Sequence, residues 1–315
     1  MIIIRGLESL KERYKDVVLT IGNFDGVHRG HQKIFRNLVE RARTMKGTAM
    51  AITFDPHPVR VLAPERGMKV LTTLDEKARL MGLFGIDVLL CINFTKEFSS
   101  TGPDDFIRNV IVDKVGAREV IVGHSYAFGK GKRGSTALLR RRGRKCGFAV
   151  KVVRYARSFG DIVSSSRIRS LLSRGRVCEA SWLLGRPYMV EGKVIKGAGR
   201  GGSLLNVPTA NIAMKNELIP KEGVYAVKVG YKGKMLDGAA NIGRNPTFGI
   251  APISYEVHIF DFSEDILHQD IRVYFIDRIR DERAFPDSSI LKEYIMRDLS
   301  RARDILRTKK YPKVI

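Results

Sequence analysis

Two imidazoles three residues apart, His28 and His31 in IGNFDGVHRGHQ (Ile21 to Gln32), are the foremost candidates for chemistry in this 315-residue chain. At the opening of a helix, side chains at that spacing share a face and can reach one ligand. Gly22 and Gly26 let the backbone approach that ligand closely, with Asn23, Phe24 and Asp25 between them. Unbonded N–H groups at the helix start and the positive end of its dipole draw an anion to the same place. Imidazoles donating hydrogen bonds there suit displacement at phosphorus, where positioning and electrostatics do most of the work. The segment reads as a phosphate-binding turn for nucleotidyl transfer from ATP. Two histidines that merely cap a helix are the plainer alternative.

Three other groups deserve the same scrutiny. In VSSSRIRSLLSRG, from Val163 to Gly175, serines open a helix, arginines follow in its first turns and a glycine ends it. Ser164, Ser165 and Arg169 would suit a triphosphate, although an ordinary capped helix has the same composition. In GAGRGGSLLNVPTAN, from Gly197 to Asn211, a glycine-rich loop runs into a strand. Thr209 and Asn211, two apart, project to one side there. Their oxygens are hard ligands suited to Mg²⁺, which takes further oxygens from water and nucleotide phosphates; a strand that begins after a proline explains the segment equally well. In SYEVHIF, from Ser254 to Phe260, Glu256 and His258 share one face of an alternating strand. Glu256 is either a general base or a carboxylate on a wet strand face.

The elements that must position these groups fall into two kinds. Val17–Ile21 is a β-branched run, and after the glycine turn Ile34, Phe35, Leu38, Val39 and Ala42 recur at helical spacing up to Gly47. Ala49 to Phe54 is a second apolar run, stopped by the prolines of Asp55-Pro56-His57-Pro58. Apolar runs at Val88–Phe94 and Glu119–Gly123 alternate with helical stretches at Leu74–Phe84 and Asp104–Val115. This alternation predicts an α/β domain with a parallel sheet covered on both faces. Beyond Trp182 the pattern changes to short strands at Tyr188–Ile195, Val224–Val229, Met235–Ile242, Ser254–Phe260 and Ile271–Ile276. These predict a small antiparallel β-barrel. A closing helix over Ser289–Arg307 carries Leu291, Ile295, Leu299, Ala302 and Leu306 as one apolar stripe. The boundary is expected near Leu184–Pro187, dividing residues 1–184 from 185–315.

Composition limits the partners. Apolar runs far shorter than the ~18 residues of a membrane span, and a start without a small-residue cleavage site, predict a soluble cytoplasmic protein. Cys91, Cys146 and Cys178 are odd in number and unsuitably spaced for a disulfide framework or a thiolate metal site. A net charge of +23 attracts polyanions. The densest basic run, Lys130 to Lys145, has no interleaved aromatic residues for bases to stack on and reads as a solvated face. Nucleotide ligands fit the charge as well as nucleic acid does, and small-molecule substrates are the expected partners.

HRGH with VSSSRIR resembles the HxGH and ISSTxxR signatures of the nucleotidyltransferase superfamily. GNFDGVHRGHQ, TFDPHP and LLGRPY, with PTAN, GVYAVKV, ANIGRNPTF, YEVHIFDF and IRDERAF, resemble the bacterial bifunctional riboflavin kinase and FMN adenylyltransferases, the FAD synthetases, over essentially the whole chain. The resemblance implies a nucleotidyltransferase-type α/β domain and a six-stranded flavokinase barrel, acting on riboflavin, FMN and ATP with Mg²⁺. Gly22, Asn23, Phe24, Asp25, Gly26, His28, His31, Ser164, Ser165 and Arg169 would then handle the ATP that adenylylates FMN. Asp55, Pro56, His57, Pro58, Ser125, Tyr126 and Phe128 would flank the flavin. In the second domain, Gly197 and Arg200 would bind ATP, Thr209 and Asn211 the metal, Glu256 would take the riboflavin proton, and Arg280 and Phe285 would lie near the flavin. The chain departs from the family at Ser125, where Asp or Asn is usual, and at Ala127, in place of a basic or polar residue. It departs again at Ser203 to Val207, where one phosphate-facing cation is missing, and at Arg244 and Asn245. The rivals are a basic nucleic-acid-binding protein on a retained fold and an adenylyltransferase for another phosphate monoester.

Overall fold

The computed structural model describes residues 1–158, 160–196, 208–243, 253–283, 285 and 288–315. Its first compact unit, Met1–Ser164, is built on a parallel sheet. The strands are β1 (Ile2–Arg5), β2 (Val17–Ile21), β3 (Ala49–Asp55), β4 (Val88–Asn93), β5 (Ala117–Gly123) and β8 (Ala149–Val153), in the order β1-β4-β3-β2-β5-β8. Two short pairs, β6 (Ala127–Phe128) with β7 (Gly134–Ser135) and β9 (Arg157–Ser158) with β10 (Asp161–Ile162), complete its strands. A parallel sheet buried on both faces needs continuous apolar strands, and all five residues of β2 are buried. Alternate residues serve opposite faces. Val17, Leu19 and Ile21 join one core cluster. Val18 joins another, with Ile34, Phe35, Leu38 and Ala42 of α1 (Arg29–Thr44).

Past β3 come α2 (Pro58–Leu62) and α3 (Leu74–Leu83); past β4 come α4 (Lys96–Ser99) and α5 (Pro103–Asp105). The helix expected over Asp104–Val115 is wound differently, because Phe106–Lys114 forms a π-helix. Its buried residues are Phe106, Ile107, Val110 and Ile111, followed by the buried cap residue Val115, so that Phe106, Ile111 and, nearly, Val115 fall about five apart. A wider i→i+5 winding gathers that spacing onto one side. Helix α6 (Thr136–Cys146) covers the same face through Leu139. Strands β1 and β8 lie at the sheet edges, and neither is among the strands expected from sequence.

The second compact unit is Ser165–Ile315. It opens with α7 (Ser165–Ser173) and α8 (Val177–Leu184), which group with the barrel through packing: α8 packs on strands of the barrel, and Lys221 N donates to Leu172 O at 3.0 Å. The barrel comprises β11 (Tyr188–Ile195), β12 (Ala210–Met214), β13 (Gly223–Tyr231), β14 (Lys234–Gly243), β15 (Ser254–Ile259) and β16 (Asp270–Arg280). All neighbours are antiparallel, and β16 pairs with both β13 and β11, which closes the ring and removes its edges. Tyr225 and Phe275, both fully buried, meet edge to face at 5.2 Å. Helix α9 (Ser288–Thr308) lays Ala302 and Leu306 against Ala226, Ala239 and Ile276.

Candidate active sites

Strand β2 runs next to β3 on one side and β5 on the other, where the chain reverses its direction of travel across the sheet. Ligands of open α/β sheets bind at the carboxyl edge of such a switch point. Three segments singled out in the sequence emerge there: the phosphate turn after β2, Asp55–Pro58 at the end of β3, and Ser125–Phe128 after β5.

The turn is an unusual piece of backbone. Phe24, Gly26 and Val27 have φ of 47°, 80° and 41°; for a β-branched residue such as Val27 that is a strained conformation, sustained only by tight surroundings. Those surroundings are present. Phe24 and Val27 are buried, and the Phe24 ring meets Phe35 at 4.9 Å and His31 edge-on at 5.3 Å. The buried Asp25 carboxylate accepts from the N–H groups of Leu71 (2.9 Å) and Thr72 (3.3 Å), while Gly26 N donates to Thr72 Oγ1 at 3.1 Å. Asp25 and Gly26, expected beside ATP, thus pin the turn to the segment leading into α3.

His28 caps α1, its Nδ1 accepting from His31 N at 3.4 Å. That bond fixes the tautomer: a neutral His28 carries its proton on Nε2. The two rings stack at 3.6 Å with planes 17° apart. Gly30 makes room for them, since a Cβ there would stand 3.0 Å from His28 Cε1 and 3.1 Å from Nδ1. His31 keeps part of its surface, but its Nδ1 is buried without a hydrogen-bond partner. Burial above all, then the charges of His28 and Lys77, hold the His31 pKa well below the ordinary histidine range. The helix-capping reading holds for His28, while His31 is left with an unmet polar atom.

Lys77 was invisible to sequence reasoning, since a lysine on a helix reads as solvated. It is buried on α3, and its Nζ donates to Thr53 Oγ1 (3.3 Å), which donates to Asn23 O (3.2 Å). A partly apolar wall lies on the β3 side. His57 caps α2 through a bond from Val59 N (3.2 Å) to Nδ1, and Asp55–Pro56 is a cis peptide. An aromatic series, Phe54, Phe94, Phe98, Phe106, Phe128 and Tyr126, connects this segment to Ser125–Phe128, with successive ring centroids 5.4–6.3 Å apart. Ser125 is exposed, whereas Phe128 is a core residue. The Tyr126 hydroxyl is buried without a partner, and burial drives its pKa strongly upward.

Ser164 ends the first unit, and Ser165 and Arg169 stand in the first turns of α7 in the second. Within the Lys130–Lys145 run, Arg142 is paired bidentately with Asp104 (2.6 and 2.8 Å), while Arg140, Arg141, Arg144 and Lys145 are exposed.

On the barrel, Asn211 of β12 lies opposite Glu256 of β15, which lies opposite Asn241 of β14. Cross-strand partners project to the same side, so the register lines these polar residues up in a row. Asn241 is the member that sequence reasoning missed, although its place in the ANIG segment was on view. Ala239 shares their face of β14 and packs against α9, which puts the row on the outer face of the barrel. Burial raises the Glu256 pKa above the ordinary carboxylate value; a hydrogen bond from Ser254 opposes this and the Glu282 carboxylate adds to it. Thr209 precedes β12, held by a bond from His258 Nδ1 to Pro208 O at 2.8 Å. It also lines a cavity of about 550 Å³ with Val194, Lys196, Val257, Glu264 and Asp265. Gly197, Arg200, the segment Ser203–Val207, Arg244 and Asn245 lie outside the described residues.

Arg280 has a part in the fold. Its guanidinium pairs with the buried Asp298 of α9 at 2.8 Å and donates to Asp281 O at 2.9 Å, so it holds the helix to the barrel. Phe285 lies against Tyr294 (5.2 Å), with the guanidinium carbons of Arg283 and Arg280 at 4.9 and 5.5 Å from its ring.

Two family models match the chain, FAD synthetase over residues 10–167 and riboflavin kinase over 184–306. The bifunctional riboflavin kinase/FMN adenylyltransferase of Escherichia coli K12 is 35% identical, the match covering 96% of this chain and 97% of that one. Its counterpart from Buchnera aphidicola subsp. Acyrthosiphon pisum is also 35% identical, over 95% of this chain and 96% of the relative. A crystal structure described as a macrolide-efflux protein from Streptococcus pneumoniae superimposes with a TM-score of 0.88 at 28% identity, covering 98% of this chain and all of the other. With both halves matched and the parallel sheet and closed barrel in place, this chain belongs to the bifunctional riboflavin kinase/FMN adenylyltransferase family.

Proposed function

We propose that the chain makes FAD from riboflavin in two ATP-dependent steps: phosphorylation to FMN in the barrel unit, then adenylylation of FMN in the α/β unit. The observation that carries the second step is the stacked His28–His31 pair at the start of α1, on the switch-point edge of the sheet. In that step an oxygen of the FMN phosphate attacks the α-phosphorus of ATP, and pyrophosphate leaves with the electrons of the broken P–O bond. The attacking phosphate needs no general base. The imidazoles therefore serve as hydrogen-bond donors to phosphate oxygens, His28 through Nε2, where charge builds in the transition state. Asn23 and Phe24 shape the turn around them, and Ser164, Ser165 and Arg169 are assigned to ATP by their motif. Asp55–Pro58, Ser125 and Tyr126 are assigned to the flavin, with Phe128 supporting them from the core.

In the kinase step the riboflavin 5′-hydroxyl attacks the γ-phosphorus of ATP, Glu256 accepts its proton, and ADP leaves. A base must be within hydrogen-bond reach and ionised at working pH. Thr209 and Asn211 offer neutral hard oxygens, a donor set that fits Mg²⁺ arriving with the nucleotide phosphates. When bound there, the ion would offset phosphate charge. Phe285 is assigned to the flavin, with Arg280 acting at one remove through Asp298. Three free cysteines suit a reducing, ATP-rich cytoplasm, and no helix among the described residues is long and apolar enough to cross a membrane.

Incubation of the purified protein with riboflavin, ATP and Mg²⁺, followed by chromatographic separation of the flavins, tests this directly. FMN and then FAD should accumulate. If neither forms, the proposal fails; FMN alone would limit the activity to the barrel.

A further inference from the structure

A buried lysine with few partners is costly, and Lys77 is such a residue. It is 6% exposed, and among the described residues its Nζ makes one hydrogen bond, to Thr53 Oγ1, with no carboxylate at ion-pair distance. A buried ammonium normally escapes this cost by pairing or by losing its proton. Burial does lower the Lys77 pKa, against the opposing influence of Asp25, Cys91 and Asp55. The Asp25 carboxylate accepts from Leu71 N and Thr72 N instead of the lysine. A second unmet polar group stands within reach of its charge: His31 Nδ1, buried without a hydrogen-bond partner. Proteins keep such unfavourable arrangements mainly where function requires them.

We propose that Lys77 is a positioning residue for adenylyl transfer, a fixed cation under the phosphate turn that holds Thr53 and Asn23 in place. The proposal rests on the adenylyl-transfer reading of the turn. Lys77 acts through other groups. The bond to Thr53 Oγ1, passed on to Asn23 O, ties the ends of β2 and β3 together. Its charge opposes a proton on His31, as that of His28 does from the same helix; the acids Asp25 and Asp55 and the thiol Cys91 are the groups that oppose loss of the lysine's own proton. The same positive potential favours the phosphates of both reactants.

The test compares the full-length protein with Lys77→Met and Lys77→Arg. Methionine keeps the length of the side chain and removes the charge, so a buried, under-paired ammonium leaves the fold without loss. The Met variant should melt no lower than the parent, form FMN from riboflavin at the parent rate, and lose at least about tenfold in kcat/KM for FAD formation. The Arg variant should recover most of that loss. Independently of turnover, the His31 resonance in a histidine-labelled Met variant should titrate at higher pH than in the parent, because a repelling charge is gone. FAD formation within twofold of the parent, or an unmoved His31 titration, would overturn the proposal. So would lowered melting with loss of both activities in both variants, which marks a residue serving the fold. A parent protein that makes FMN but no FAD would overturn the reading of the turn itself, while the His31 titration would still report on the lysine.

Discussion

In the proposed kinase step Glu256 would act as a base only when ionised, and its surroundings resist ionisation. Burial is the main cause, and the Glu282 carboxylate adds to it. The sign follows: a raised pKa keeps the carboxyl protonated to higher pH, so FMN formation should decline on the acid side below that raised value. Glu282→Gln removes a like charge, lowers the Glu256 pKa, and should move the acid limb of the rate profile to lower pH. Glu256→Gln should reduce FMN formation by about 10²–10⁴-fold at neutral pH. An acid limb unaffected by the Glu282 change would dissociate the profile from Glu256. Tyr126 illustrates the opposite economy, since its buried hydroxyl has no partner and only its ring packs, on Phe128. Tyr126→Phe should leave stability unchanged or raise it by about 1 kcal/mol. Thermal melting measures this, and a drop would show that the hydroxyl has a partner such as water.

At the scale of elements, Gly30 ties the turn to its chemistry. The close approach of its would-be Cβ to the His28 ring means that Gly30→Ala must displace the imidazole or the first turn of α1. FAD formation should fall by about tenfold or more while FMN formation continues, since a small misplacement of catalytic groups is enough for such a loss. Equal loss of both products would argue for general damage instead. Most of this element was legible in the sequence: the β-branched strand, glycine turn and helical stripe predict β2 and α1, and five barrel strands follow from alternation. What remained hidden had physical reasons. The edge strand β1 is only four residues long, too short to show a period, and β8 (AVKVV) is five, with a lysine in its middle. The π-helix depends on how residues 106–115 meet the core, which short-range periodicity does not fix. Lys77 and the use of Arg280 on Asp298 depend on tertiary partners far away in sequence.

At the scale of the whole molecule, two units, each with its own core, carry the two proposed chemistries. The His28–His31 pair lies in the first unit, and the Asn211–Glu256–Asn241 row lies in the second. Variants at one site should therefore leave chemistry at the other intact, as expected where two sets of residues act independently. His28→Ala combined with His31→Ala should abolish FAD formation and spare conversion of riboflavin to FMN. Glu256→Gln should do the reverse: inactive on riboflavin, it should still make FAD when supplied with FMN and ATP. Mixing the two variants with riboflavin and ATP should restore FAD production, because the FMN released by one is substrate for the other. If the mixture stayed inactive while each variant retained its own half-reaction, FMN must stay with the chain that made it, and the two sites would have to be treated as one coupled system.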